Sequence, residues 1–266
     1  MAVWQAIILG LVQGLAEFLP VSSSGHLVLL QNIFGISGNV LLFDVVLHLG
    51  TLGALFIVLW KDVVDILRRL IRPLTLMLIL ATLPTVVMTL LLGDAIDHIF
   101  TGAFLGWGFL ITAIVLWLSD RIRVRRPLCN MDDVKWYQAL LVGLAQAAAV
   151  LPGVSRSGST ITGSLAAGLD RDKATRFSFL MGIPAILGSL VYQVKDIAEV
   201  GLAASMDGIG WPAAIIGMIV ALAVGIVAIK WMMKLVQKAK LRYFAIYVAV
   251  LGILVLLDQY IFNFFF

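Results

Sequence analysis

A succession of long apolar runs leaves this chain few ways to fold: about Val40 to Trp60, Leu74 to Leu92, Ala103 to Leu118, Phe177 to Val194, Trp211 to Lys230 and Tyr243 to Phe262. A helix rising about 1.5 Å per residue needs roughly 20 such residues to cross about 30 Å of hydrocarbon. All six runs are therefore predicted to be spanning helices. The whole chain is 62% hydrophobic and 13% charged, where soluble domains run at roughly 45–50% and 25%. A soluble core has no use for that much apolar surface. The expected class is an all-α polytopic membrane protein, with residues 1–266 forming a single membrane domain and the bilayer as its first partner.

The charge pattern supports this class. A net charge of +4 and a pI near 9.3 would suit a nucleic-acid partner, but the basic residues fall in short loops, as in cytoplasm-facing connections. No nucleic-acid partner is expected. Lys61, Arg68, Arg69 and Arg72 follow the first span. Arg121, Arg123, Arg125, Arg126 and Lys135 follow the third, and Lys230, Lys234, Lys238, Lys240 and Arg242 the fifth. The connections around Asp94, Asp97 and His98, and around Asp196, Glu199 and Asp207, are acidic or nearly uncharged and are expected outside. The first residues lack a basic start and a small-residue cleavage site, so the first segment is expected to belong to the mature fold. Cys129, alone, offers neither a disulfide nor a metal cluster.

Two further apolar segments, Ala2 to Leu30 and Gln138 to Leu169, are broken in the middle by Pro, Gly and a serine cluster. Each reads as two short helices meeting at a turn. At membrane depth such a break is tolerated only where protein or a water-filled cavity satisfies the freed backbone groups, so these turns mark a candidate site.

The two segments also repeat each other. Gln5, Ala6, Gly10, Leu11, Gln13, Ala16, Val21, Ser22, Ser24 and Gly25 recur in register as Gln138, Ala139, Gly143, Leu144, Gln146, Ala149, Val154, Ser155, Ser157 and Gly158. The chain thus divides into repeats of about 1–130 and 131–266, each a re-entrant broken helix pair plus three transmembrane helices. Three spans per repeat is an odd number, so the second repeat is expected to be inverted, with the two turns meeting inside the membrane as in inverted-repeat transporters. The first broken segment would enter from outside. The second would enter from the cytoplasm, beside a basic loop holding Arg171, Lys173 and Arg176.

Comparing the copies separates scaffold from chemistry. The Ser-x-Ser-Gly turn persists, while Glu17 becomes Val150, Ser23 becomes Arg156 and His26 becomes Ser159. One half supplies a carboxylate, a hydroxyl and an imidazole; the other supplies a guanidinium. Gln13 and Glu17, four apart, share a helix face. Both serine turns open a helix, whose N-terminus favours anions, and Arg156 suits a phosphate, whose oxygens a guanidinium can bind bidentately. A carboxylate beside an imidazole can hold a divalent cation or move protons. Each residue also has a plainer reading: the serines as caps, Gln13 as an interhelical bond, Arg156 as a structural partner of Glu17. A charge within the bilayer is costly enough to favour function. Asp44 and His48, four apart on the first span, remain open between a mutually satisfied pair, a proton relay and a support for the site.

With these residues in view, the chain resembles the undecaprenyl pyrophosphate phosphatase family, also known for bacitracin resistance. Gln13 to Glu17 match its Glu/Gln-x-x-x-Glu element, and Pro152 to Thr160 match its Pro-Gly-x-Ser-Arg-Ser-x-x-Thr element. The resemblance covers essentially the whole chain. It implies hydrolysis of undecaprenyl pyrophosphate to undecaprenyl phosphate in the bacterial cytoplasmic (inner) membrane, with a polyprenyl pyrophosphate lipid as substrate and a divalent cation, magnesium or calcium, as cofactor. Carried over residue by residue, Glu17, Ser23, His26 and Arg156 would be catalytic. Gln13, Ser22, Ser155, Ser157 and Thr160 would bind substrate, and Gln13 and Glu17 would hold the metal. Ser23, His26 or water remain open as nucleophile, and a homodimer remains open as an assembly. The site is expected to face the periplasm or outside. The rival readings are a carrier-lipid flippase or other inverted-repeat transporter, and a type-2 phosphatidic acid phosphatase. The latter needs a His after its Ser-Arg, which is missing beyond Ser155-Arg156.

Overall fold

The computed structural model describes residues 1–36, 40–99, 104–124, 128, 130–201, 205, 208–238 and 240–266, with the side chains of 92–99, 200 and 238 set aside. The expectations at Ala103, Arg125, Arg126, Cys129 and Asp207, and for the side chains of Asp94, Asp97, His98 and Lys238, lie outside the described residues.

Among those residues the regular structure is helical. In order the helices are α1 (Val3–Ala16), α2 (Ser23–Ile33), α3 (Leu41–Val58), α4 (Trp60–Arg68), α5 (Pro73–Ile99), α6 (Leu105–Ser119), α7 (Trp136–Ala148), α8 (Arg156–Ala166), α9 (Arg171–Val200), α10 (Trp211–Lys238) and α11 (Arg242–Leu257). A π-helical turn, Asp258–Phe262, extends the last one. Five of these are long and apolar enough to cross a membrane: Leu41–Val58, Pro73–Leu91, Arg171–Glu199, Trp211–Gln237 and Arg242–Phe262. Large apolar side chains point away from the protein along them, with Leu90 75% exposed. Both broken segments are helix pairs, α1–α2 and α7–α8, as predicted.

Four expectations need correction. The third predicted span, Ala103 to Leu118, contributes a helix of 15 residues, about 22 Å long and short of a full crossing. It stops where Asp120 accepts the main-chain N–H groups of Leu241 and Arg242. The stretch after the first span is no simple loop, because Leu59 breaks the run and α4 follows, burying Val63. The basic loop expected at Arg171, Lys173 and Arg176 is the beginning of α9. Asp170 caps that helix through the Lys173 N–H, and ion pairs of Arg171 with Asp120 and Arg176 with Asp62 satisfy its charges. Lys230 and Lys234 likewise lie within α10, not after it.

Polar contacts sort the connections into two ends. At one end Arg72 bonds Asp65 and Asp132, Arg176 bonds Asp62, Arg171 bonds Asp120, and Gln237 bonds Asp172. The three basic stretches predicted to share a side are therefore tied together. At the other end the Met1 amine meets the Gly208 carbonyl, and Trp4 packs edge-to-face on Phe34. The 30 residues of α9, about 45 Å of helix, separate these ends.

The first broken pair starts and finishes at the Met1 end. The second starts and finishes at the basic end, where Gln138 donates to the Ala167 carbonyl and the Leu128 N–H to that of Gly168. Between the ends, α1 and α3 pack on α10, α7 packs on α5, and α6 packs on α11. Small residues let α10 come close. A side chain at Gly10 would meet the Gly217 main chain, and one at Gly14 or Gly50 the carbonyls of Ala221 or Met218. Small residues serve the same purpose in membrane helix pairs generally.

Candidate active site

The two turns reach each other in the middle of the molecule. α1 ends at Ala16, and Glu17 closes its last turn with an N–H to the Gln13 carbonyl. The chain then turns through Pro20 to Ser22, whose φ of 71° lies in the left-handed region, where a residue with a Cβ costs about 1–3 kcal/mol. Ser22 caps α2 by accepting the Gly25 N–H, and Ser155 caps α8 by accepting that of Gly158. The equivalent turn of the second half uses Gly153, φ 80°, for its left-handed position. Thr112 of α6 clamps that turn, donating to the Gly153 carbonyl at 2.9 Å and accepting the Ser155 N–H at 2.9 Å. Gly108 leaves the turn room, since a Cβ there would strike the Pro152 carbonyl.

Where the turns meet, Glu17 is buried and shared. Its Oε1 takes the Arg156 Nη2 at 2.5 Å, and its Oε2 accepts the Ser23 hydroxyl at 2.5 Å and the Gln13 amide at 3.3 Å. His48 Nε2, from α3, stands 4.0 Å from the same Oε2. Ser23 is partly open while Glu17 is 7% exposed. A hydroxyl at the head of one helix, a carboxylate behind it and a guanidinium at the head of the facing helix form an arrangement able to receive a phosphate.

Gln13, Glu17, Ser23 and Arg156 are thus brought together. The other predicted residues are placed differently. His26 bonds the Ser22 carbonyl through Nδ1 at 2.7 Å and the Tyr247 hydroxyl through Nε2 at 2.8 Å, and stacks on the Tyr247 ring. Ser157 donates to the Leu19 carbonyl at 2.9 Å, locking one turn onto the other. Thr160, fully buried, donates to the Arg156 carbonyl and meets the Ser178 hydroxyl at 2.5 Å. Ser22 and Ser155 serve as caps. Their contacts among the described residues are to the protein's own groups. Asp44 and His48 do not pair through their side chains in the way considered. His48 Nδ1 bonds the Asp44 carbonyl at 2.8 Å, and the Asp44 carboxylate takes the Gln31 amide at 2.9 Å.

Two contributors escaped the sequence reading. A Cβ at Gly182 of α9 would collide with the Arg156 guanidinium, so this glycine makes space for the cation. Tyr247 fixes His26. Neither sits in a motif, and their positions follow only from packing.

For a divalent cation, the described residues contain no cluster of three His, Cys, Asp or Glu. However, the Gln13 Oε1 is buried without a hydrogen-bond partner, on the side chain whose amide nitrogen bonds the Glu17 carboxylate. One carboxylate with one amide oxygen suits magnesium, which is often held by one or two carboxylates plus substrate phosphates. This pair of oxygens would fit such an ion only together with further oxygens from a bound phosphate.

Comparison with known proteins points to one family. Residues 6–254 match the family described as bacitracin resistance protein BacA. The undecaprenyl-diphosphatase of Carboxydothermus hydrogenoformans is 45% identical over 257 residues, covering 96% of this chain and 97% of that protein. Those of Halothermothrix orenii and Methanosphaera stadtmanae are 38% and 40% identical, covering 97% and 95% of this chain and 98% and 96% of their own lengths.

Proposed function

The chain belongs to the bacitracin resistance protein BacA family, and on that premise we propose that it hydrolyses undecaprenyl pyrophosphate to undecaprenyl phosphate and inorganic phosphate, recycling the carrier lipid for cell-wall synthesis. The observation that carries the reading is the division of one buried carboxylate between two partners, Ser23 on Oε2 and Arg156 on Oε1.

In this reading the terminal phosphate enters between the heads of α2 and α8, and Arg156 exchanges Glu17 for phosphate oxygens. The Ser23 Oγ attacks the terminal phosphorus and passes its proton to Glu17 Oε2. The bridging P–O bond breaks, and its electron pair leaves with undecaprenyl phosphate. Water then releases phosphate from Ser23. Arg156 and the helix heads neutralise the charge that develops on the phosphoryl oxygens. Oxygens of Gln13 and Glu17 would hold magnesium or calcium, which would supply further neutralisation of that charge. Glu17 serves as base in preference to His26, because the Ser23 hydroxyl already points at it and both His26 ring nitrogens are engaged.

The two halves form inverted repeats in the cytoplasmic membrane, with the basic end inside and the site reached from outside. Entry of the two broken pairs from opposite ends supports this. The test is phosphate release from a polyprenyl pyrophosphate by purified protein, with and without EDTA, beside Glu17→Gln and Arg156→Ala. General-base and phosphate-binding losses of about 10²–10⁴-fold are expected, with activity also lost on chelation. No release by folded wild-type protein would leave a phosphate-binding transporter as the reading.

A further inference from the structure

We propose that α4 and the turn after it form a lipid-binding surface at the basic end of the molecule, where Lys61 and Arg68 hold the headgroups of anionic phospholipids. The inference rests on the membrane fold and is independent of the chemistry at Glu17.

α4 is confined between two spans, since α3 ends at Val58 and α5 begins at Pro73. With 9 residues it is about 14 Å long, too short to cross the bilayer. Its far end is brought back to α5, where Thr75 of the first turn donates to the Arg69 carbonyl at 3.1 Å. Both ends of α4 are thus fixed where a spanning helix leaves the hydrocarbon.

The spacing of its side chains gives α4 two unlike sides. Asp62, Asp65 and Arg69 share one, and both acids are spent on the protein, Asp62 on Arg176 and Asp65 on Arg72. On the other side Val63 is buried, and the apolar arc continues to Trp60, Val64 and Leu67. Leu67 is 65% exposed, and Ile71, in the turn that follows, is 87% exposed. Among the described residues nothing covers this arc. Between two spans the bilayer interface lies next to it, and an amphipathic helix buries such a face there with its Trp at headgroup level.

The cations complete the surface. Lys61 and Arg68, seven apart, lie on one edge of the arc about 10 Å from each other. Both are exposed, and among the described residues neither makes a side-chain hydrogen bond or ion pair. Arg69, Arg72 and Arg176 around them are all paired. Long basic side chains at the margin of an apolar face extend their charge to headgroup level, where an anionic phosphate complements it.

The test uses the full chain, purified in detergent and given equal amounts of phosphatidylglycerol and phosphatidylcholine with the same acyl chains, with bound lipid counted by native mass spectrometry. Wild type is expected to retain phosphatidylglycerol preferentially. Lys61→Gln and Arg68→Gln are each expected to lower that preference by about fivefold, the worth of one basic side chain at an anionic surface. Arg69→Gln, whose charge is engaged by Asp65 on the other side of the helix, is expected to leave it within about twofold. In a Cys129→Ser background, a spin label on Leu67→Cys is expected to be relaxed by oxygen more than by a water-soluble nickel chelate. The proposal is overturned by a wild type that retains both lipids alike, by an unchanged preference in either glutamine variant of Lys61 or Arg68, by an equal loss in Arg69→Gln, or by a label that the chelate reaches more readily than oxygen.

Discussion

At the scale of single residues, burial of a carboxylate is costly unless it is paired. Glu17 is satisfied from both halves of the chain, by Arg156 on one oxygen and by Ser23 and Gln13 on the other. The same accounting distinguishes the side chains that converge on Glu17 from those whose polar groups are spent elsewhere in the protein. Thr160 has its hydroxyl spent on the Arg156 carbonyl and on Ser178. Thr160→Val is therefore expected to cost stability, about 1–3 kcal/mol for the partners left unsatisfied, measured as thermal unfolding in detergent. Its KM should stay within about threefold of wild type, since the hydroxyl is spent on protein partners. A large rise in KM with unchanged stability would instead place Thr160 on the phosphate.

At the scale of helices, the placing of the candidate site depends on close packing against α10. Gly10, Gly14 and Gly50 meet main-chain atoms of α10 around Gly217, Met218 and Ala221, so α1 and α3 are seated by backbone contact. These are the helices that carry Glu17 at a terminus and His48 along a face. Gly10→Ile is expected to push α1 away from α10, with an overpacking cost of about 1–3 kcal/mol and a fall in kcat as Glu17 shifts. A variant that loses stability but keeps full kcat would show that the turn positions Glu17 independently of the seam. Gly108 and Thr112 of α6 do the corresponding work for the second turn, giving it room and clamping its backbone.

At the scale of the whole molecule, the two broken pairs enter from opposite ends and touch at their tips, through Ser157 on the Leu19 carbonyl and Arg156 on Glu17. Ion pairs gather the basic stretches at one end, and positive stretches face the cytoplasm in membrane proteins. Ser23 should then be reached from outside. After Cys129→Ser, which removes the single native thiol, Ser23→Cys in intact cells is expected to react with an impermeant thiol reagent. Labelling only from the cytoplasmic side of inverted vesicles would reverse the orientation.

The amino-acid sequence by itself determined the class of this protein and marked the two turns that form its candidate site. Apolar length specified a membrane fold, and the break of two such stretches at Ser-x-Ser-Gly specified where backbone must be buried in protein. The replacement of Ser23 by Arg156 between the copies identified the two unlike halves of one site. These are local properties, readable along the chain because each depends on neighbours within a few turns. Only the tertiary structure decided which oxygen of Glu17 each partner takes, that His26 is held by Tyr247 while His48 faces Glu17, and that Gly182 opens a space for Arg156. It also decided that the predicted third span is a short helix and that the basic residues after Asp170 begin α9. The physical reason is the same in each case. Tyr247, Gly182 and Asp120 act across helix interfaces from distant parts of the chain, and neither the period nor the composition of a single segment records what it packs against.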